Sequence, residues 1–287
     1  MKYLKMFNEN INRSEIDSIC KKHNITNYTI NDDGSIDVNG NVYLSDINLI
    51  VLPLKFRKVS GDFHCGYNNL TSLEGTPKSV GGDFYCKYNK LTSLDGGPQS
   101  VGGNFSCSYN QLTSLVGCPQ YIGGNFYCAI NQLTSLVGCP QNIGGGFYCS
   151  SNQLTTLEGV PQRVGGNFSC SGNQLTTLDG APKRVGGIFW CDSNNLKNID
   201  YLPKYYKVLD ISNNPISKII DLFTKQEEYG RISNREDKEL IMDFIDREII
   251  QQDKLLVNRL IEFLHDVGNP KSKEELIELL KNDYEIR

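Results

Sequence analysis

The chain has 287 residues, with 29 Lys and Arg against 33 Asp and Glu, so its net charge is only −4. That balance supplies no basic surface for nucleic acid. No apolar run approaches the length of a membrane span, and three histidines (His23, His64, His265) stand far from any plausible nucleophile. Length alone suggests two domains, but the ordering of residues suggests one elongated body with caps.

Residues 1–36 are expected to form an N-terminal helix and hairpin cap. Ser14-Glu-Ile-Asp17 reads as a helix start, with Asp where a capping box has Glu or Gln. Ile16, Ile19 and Cys20 would be its apolar face. Asn31-Asp-Asp-Gly34 and Asn39-Gly40 are turn signals. Val42 and Leu44 lie 21 residues before Phe63 and Cys65, so the hairpin is expected to lead into a first strand and cover the open sheet edge. Met1–Glu9 lacks the apolar core of a secretory signal, which points to the cytoplasm of the producing or host cell.

Residues 37–219 repeat. Leu70–Lys90 (LTSLEGTPKSVGGDFYCKYNK) recurs every 21 residues through about eight coils. A fixed period of this size marks a solenoid, whose units bury their apolar faces only by stacking. Five ladders form the expected core. They begin at Leu70, Leu73, Val80, Phe63 and Cys65, and the last runs through Cys86, Cys107, Cys128, Cys149, Cys170 and Cys191. Val80, Gly82, Phe84 and Cys86 share one parity, so the stretch reads as a single strand with those four inward. The strands of successive coils would pair into one parallel sheet. Asn68, Asn89, Asn110, Asn131, Asn152, Asn173, Asn194 and Asn214 follow three residues after the cysteine position, where Asn can bond the turning backbone. Pro77 and its equivalents sit on the far side, where no ladder bond is needed.

Ten cysteines would suggest disulfides in an exported chain. Here seven occupy one inward ladder, Cys118 and Cys139 form a second, and only Cys20 stands alone, so reduced packing thiols are expected. Without a C-x-x-C pair, zinc is not expected. Sequons at Asn104 and Asn167, the Gly144-Gly-Gly146 run and the Asp62/Asp83 pair all fall on ordinary repeat positions. They imply no glycan, phosphate loop or calcium roll, and no cofactor is expected.

The segment F-x-C-x-x-N-x-L-x-x-L resembles the leucine-rich repeat core L-x-L-x-x-N-x-L, with Phe and Cys at the first two apolar positions. The 21-residue period is similar to the short bacterial and viral class, and the GGNFYC and NQLTSL arrays resemble those of bacteriophage leucine-rich repeat proteins. The resemblance covers roughly residues 37–219. It implies an α/β repeat solenoid with a parallel sheet and is nearly silent on function.

Composition changes in residues 220–287. After Ile220, 11 Lys and Arg stand against 17 Asp and Glu. Helical spacing recurs at Leu240–Ile245 and Leu255–Leu264, and Ser272-x-x-Glu275 opens a last helix through Leu280. A helical C-terminal cap is expected, with a separate helical effector module as the sharper reading.

On the sheet face, three positions per coil point outward. The residue between Phe and Cys gives His64, Tyr85, Tyr127, Tyr148 and Trp190, interrupted by Ser106 and Ser169. Two past Cys come Tyr67, Tyr88 and Tyr109, then Ile130, Ser151, Gly172 and Ser193. The residue before Phe gives Asp62 and Asp83, then Asn104, Asn125, Gly146, Asn167 and Ile188. Tyr and Trp are enriched where interfaces concentrate energy, although stacked tyrosines also stabilise neighbouring strands. The expectation is a non-enzymatic protein-binding solenoid, narrowed by the resemblance to a phage accessory protein that blocks a host defence protein. Two alternatives are an effector-type leucine-rich-repeat ubiquitin ligase and a carbohydrate-binding adhesin. The first is opposed by the absence of cysteine from 220–287, the second by the lack of an export signal. Partner identity and oligomeric state are left open.

Overall fold

The computed structural model describes residues 11–225, 231–251 and 254–287. Its contacts divide the chain into two compact units, Met1–Tyr148 and Cys149–Arg287.

The first unit opens with helix Arg13–Lys22. It starts earlier than Ser14 and Asp17 suggested. Asn12 is the N-cap, accepting the Glu15 N–H at 3.0 Å while its own N–H donates to Glu15 Oε2 at 3.1 Å. That pair satisfies two free donors at once, and Asp17 instead accepts the Tyr28 hydroxyl at 2.6 Å. Ile16 and Cys20 are buried, as the apolar face requires. Strands Tyr28–Ile30 and Ile36–Val38 form the antiparallel hairpin, and Val42–Tyr43 pairs in parallel with Phe63–His64, beginning the stack.

Coils before the last carry two short strands rather than the single one that parity implied, and the last carries Val208–Asp210 with an isolated bridge at Tyr205. Ser79–Val80 and Phe84–Tyr85 are separated by Gly81, Gly82 and Asp83. Val59, Val80, Val101, Ile122 and Ile143 pair in one parallel ladder, and Phe63, Phe84, Phe105, Phe126 and Phe147 in another. The break lies where coils meet backbone to backbone. A Cβ on Gly81 would stand 2.1 Å from the Ser60 carbonyl oxygen, and one on Gly102 2.1 Å from that of Gly81. Val80, Phe84 and Cys86 are buried as expected, while Gly82 is half-buried.

The leucine, phenylalanine and cysteine ladders form the core. Adjacent Phe rings stack, Phe63 on Phe84 at 5.6 Å and Phe84 on Phe105 at 5.5 Å. The ten cysteines are free and buried. Cys86 Sγ donates to the Ser106 carbonyl of the following coil at 3.4 Å. Burial pushes the Cys65 thiol up to about 12 and that of Cys86 far above its ordinary value, so these thiols pack rather than react.

The asparagine ladder joins coils. Asn89 Oδ1 accepts the Leu70 N–H at 2.9 Å, and Asn89 Nδ2 donates to the Cys65 and Cys86 carbonyls at 3.0 and 3.1 Å. Asn110 repeats the set one coil later. One side chain thus serves backbone groups of two coils that turn out of the sheet together.

The second unit continues the same architecture. Arg163–Val164 pairs with Arg184–Val185, and Phe168–Ser169 with Ile188–Trp190, which pairs in turn with Val208–Asp210. Strand Arg231–Ile232 adds antiparallel to Val208–Asp210 and covers that edge. Beyond helix Ser217–Ile220 the unit holds helices Arg235–Asp246, Val257–Asp266 and Lys273–Leu280, the last capped by the expected Ser272–Glu275 box. This region is not purely helical. Ile250–Gln251, Lys254–Leu255 and Glu285–Ile286 form a three-stranded sheet. Phe223, Phe244 and Phe263 make its aromatic core, with centroids 4.9 to 5.7 Å apart. Each unit is thus built of stacked parallel β-coils, with a helix before the stack in the first and helices after it in the second.

Candidate functional site

The coil geometry sets two rows of rings side by side on the first unit. His64, Tyr85, Ser106, Tyr127 and Tyr148 are direct Cα partners along the second ladder. His64 stacks on Tyr85 at 4.5 Å, Tyr127 on Tyr148 at 4.8 Å, and Tyr43 meets His64 edge-on at 5.1 Å. Residues two positions earlier hold the rings in place. The Tyr85 hydroxyl donates to Asp83 Oδ2 at 2.6 Å, Asn125 Nδ2 donates to the Tyr127 hydroxyl at 3.1 Å, and Asn41 Nδ2 to that of Tyr43 at 2.9 Å. Burial, then Asp83, pushes Tyr85 up to about 12. Burial likewise lowers the pKa of His64, so the row presents uncharged rings at neutral pH.

Asp62 and Asp83 have a structural task that parity did not reveal. Asp62 Oδ1 accepts the Asp83 N–H at 2.8 Å, Asp83 Oδ1 accepts the Asn104 N–H at 2.6 Å, and Asn104 and Asn125 pass the bond on to Asn125 and Gly146. For Asp83, burial favours the neutral acid, but the bonds from Tyr85 and Asn104 outweigh it and hold the carboxyl below its usual range.

The second row is Tyr67, Tyr88 and Tyr109. Tyr67 stacks on Tyr88 at 4.5 Å and Tyr88 on Tyr109 at 3.9 Å, with the three side chains 48%, 37% and 40% exposed. Their backbone is left-handed, at φ 55°, 56° and 58°, and Ile130 continues the row at 56°. That conformation costs an ordinary L-residue roughly 1–2 kcal/mol. The turn demands the conformation but not the tyrosine, since Asp46, Ser151, Gly172, Ser193 and Asn213 occupy the same register with φ 58°, 55°, 63°, 56° and 55°. Of these, Asp46, Gly172 and Asn213 are the residue types that signal it in the sequence.

Between the rows lies a furrow of about 360 Å³ lined by Tyr67, Tyr85, Lys87, Tyr88, Ser106, Ser108, Tyr109 and Tyr127. Ser106 and Ser108 are buried at its floor. The Lys87 ammonium lies 5.4 Å from the Tyr67 ring and 5.7 Å from that of Tyr85. A wider concavity of about 1210 Å³ beside the N-terminal helix is edged by exposed polar residues such as Asn12, Glu15 and Lys55, and has no comparable stack of rings.

Trp190 belongs to the second unit, half-buried on its strand between Ser169 and Asp210. There the turn register carries Ser151, Gly172 and Ser193 instead of rings. Among the described residues no cluster of His, Cys, Asp or Glu could hold a metal ion, and no helix is long and apolar enough to cross a membrane.

No protein-family model and no curated protein matches this sequence. Among solved structures, YopM from Yersinia enterocolitica WA-314 is similar. It is 21% identical over 61% of this chain, with a TM-score of 0.41. The chain spans 47% of that protein. A likeness at this level assigns neither partner nor activity.

Proposed function

We propose that this protein is a non-enzymatic binding module that holds a protein partner through the two aromatic rows of its first unit. One observation carries the reading. Tyr67, Tyr88 and Tyr109 are stacked, exposed aromatics at a register that Asp46, Ser151, Gly172, Ser193 and Asn213 fill elsewhere with small residues. The left-handed backbone is common to the whole register, so the three adjoining rings mark the site, and rigid exposed tyrosines suit protein interfaces.

The test is the triple variant Tyr67→Asn/Tyr88→Asn/Tyr109→Asn in affinity purification from the native host. Asn tolerates the left-handed region, so the variant should fold and lose the partner that the wild type retains. Undiminished capture would refute the reading. The narrower role, blocking a host antiviral-defence protein for a phage, is supported by the resemblance of the GGNFYC and NQLTSL arrays to phage repeat proteins. Expression in hosts with and without defence systems should then raise phage plating only in the defended hosts. Unchanged plating counts against it.

A further inference from the structure

The row His64, Tyr85, Ser106, Tyr127, Tyr148 is a ring stack with one rung missing. Its rings repeat at 4.5 and 4.8 Å on either side of the gap. Tyr85 and Tyr127 flank the gap two strand spacings apart, roughly 9–10 Å. One planar ring placed midway would therefore sit at the spacing the row already uses, face to face with a tyrosine on each side.

The surroundings favour an aromatic group accompanied by negative charge. Tyr88 and Tyr109 wall one side, and the floor is the two small residues Ser106 and Ser108. Among the described residues lining the furrow, Lys87 is the only charged one. Its ammonium lies over rings, with no ion pair to a carboxylate among the described residues. The gap is not a general property of serine at this register. In the second unit the equivalent Ser169 hydroxyl is closed off by those of Ser150 and Ser171, at 2.6 and 3.2 Å.

Resting on the binding role above, we propose that the missing rung is a receptor slot. An aromatic side chain of the partner protein inserts between Tyr85 and Tyr127 and completes the stack. A carboxylate next to it in the partner's sequence pairs with Lys87. The slot selects for a flat ring through two faces and for an acidic neighbour through a cation that has no carboxylate partner among the described residues.

The probe is N-acetyl-Phe-Asp-amide, titrated into the full chain by NMR against the Leu-Asp and Phe-Lys analogues. The Phe-Asp peptide should bind about tenfold more tightly than Leu-Asp, the value of two ring contacts. Saturation should transfer most strongly to its ring protons. Ser106→Tyr should abolish binding by filling the slot, and it should fold, because tyrosine occupies this register in neighbouring coils. Lys87→Gln should erase the preference for Phe-Asp over Phe-Lys. Absence of Phe-Asp binding to the wild type, or equal binding by the Ser106→Tyr variant, overturns the slot. Partner capture separates the two ideas. A Ser106→Tyr protein that keeps a partner lost by the triple Asn variant refutes the slot and leaves the binding role standing.

Discussion

Replacing Asn89 by alanine tests the inter-coil bonding most directly. The Cys65 and Cys86 carbonyls each keep a second asparagine, Asn68 and Asn110, both at 3.1 Å. Among the described residues, only the Leu70 N–H is left without a partner. Stranding one buried donor costs about 1–3 kcal/mol, and giving up two bonds whose acceptors stay satisfied costs about 0.5–1.5 kcal/mol each, so a loss of about 4 kcal/mol is expected. Asn89→Asp should be worse at neutral pH. It keeps an oxygen for Leu70 but turns the other on two carbonyls, which favours the protonated acid in the fold. Its folded pKa is then raised, so its stability is greatest below the ordinary carboxylate pKa and falls as pH rises through that range. Urea unfolding followed by circular dichroism gives the loss, and hydrogen exchange at the Leu70 amide localises it. An Asn89→Ala midpoint equal to wild type, or an Asn89→Asp protein of full stability at neutral pH, would refute this account of the ladder.

Gly102→Ala should prevent coil stacking, because its Cβ would meet the Gly81 oxygen at 2.1 Å; a soluble variant with native circular dichroism would contradict that contact. The ten buried thiols should resist a disulfide reagent in the native state and all react in denaturant. Rapid native labelling of the Cys65–Cys191 ladder would show it to be open. In alkaline titration followed by tyrosinate absorbance, Tyr85 and Tyr88 should ionise near 12, Tyr85 through burial and Tyr88 through its bond with Tyr109. The neutral phenol is favoured in the fold, so this contribution to stability is lost above about pH 10, and a single transition of all tyrosines near 10 would argue against it.

The ladders were legible in the sequence because identical residues must meet identical residues when coils stack in register. The leucine, phenylalanine, cysteine and asparagine positions are therefore visible in the 21-residue spacing alone. The two-strand coil was not, since Gly81 and Gly82 answer to the backbone of the preceding coil and parity describes only their own. Asp62 and Asp83 were legible as outward residues, but their bonds to the next coil's N–H groups depend on that same inter-coil distance. The left-handed register was hidden because tyrosine and isoleucine carry no signal for it, and Asp46, Gly172 and Asn213 lie too far apart to stand out. The three-stranded sheet near the C-terminus was missed because its strands are two residues long, too short to show alternation.

The asparagine ladder gives the coil a direction. The Leu70 N–H is completed by Asn89 and the Leu91 N–H by Asn110, so within a unit each coil is finished only by the one made after it. During synthesis the newest coil has an open donor, and the array of the second unit closes only when Asn214 takes the Leu196 N–H and the Ile216 N–H donates to the Leu196 carbonyl. Removing or adding a whole 21-residue unit leaves every such donor matched. Cutting the chain after an intermediate coil does not, so the length of this scaffold can change in steps while its closing end must be kept.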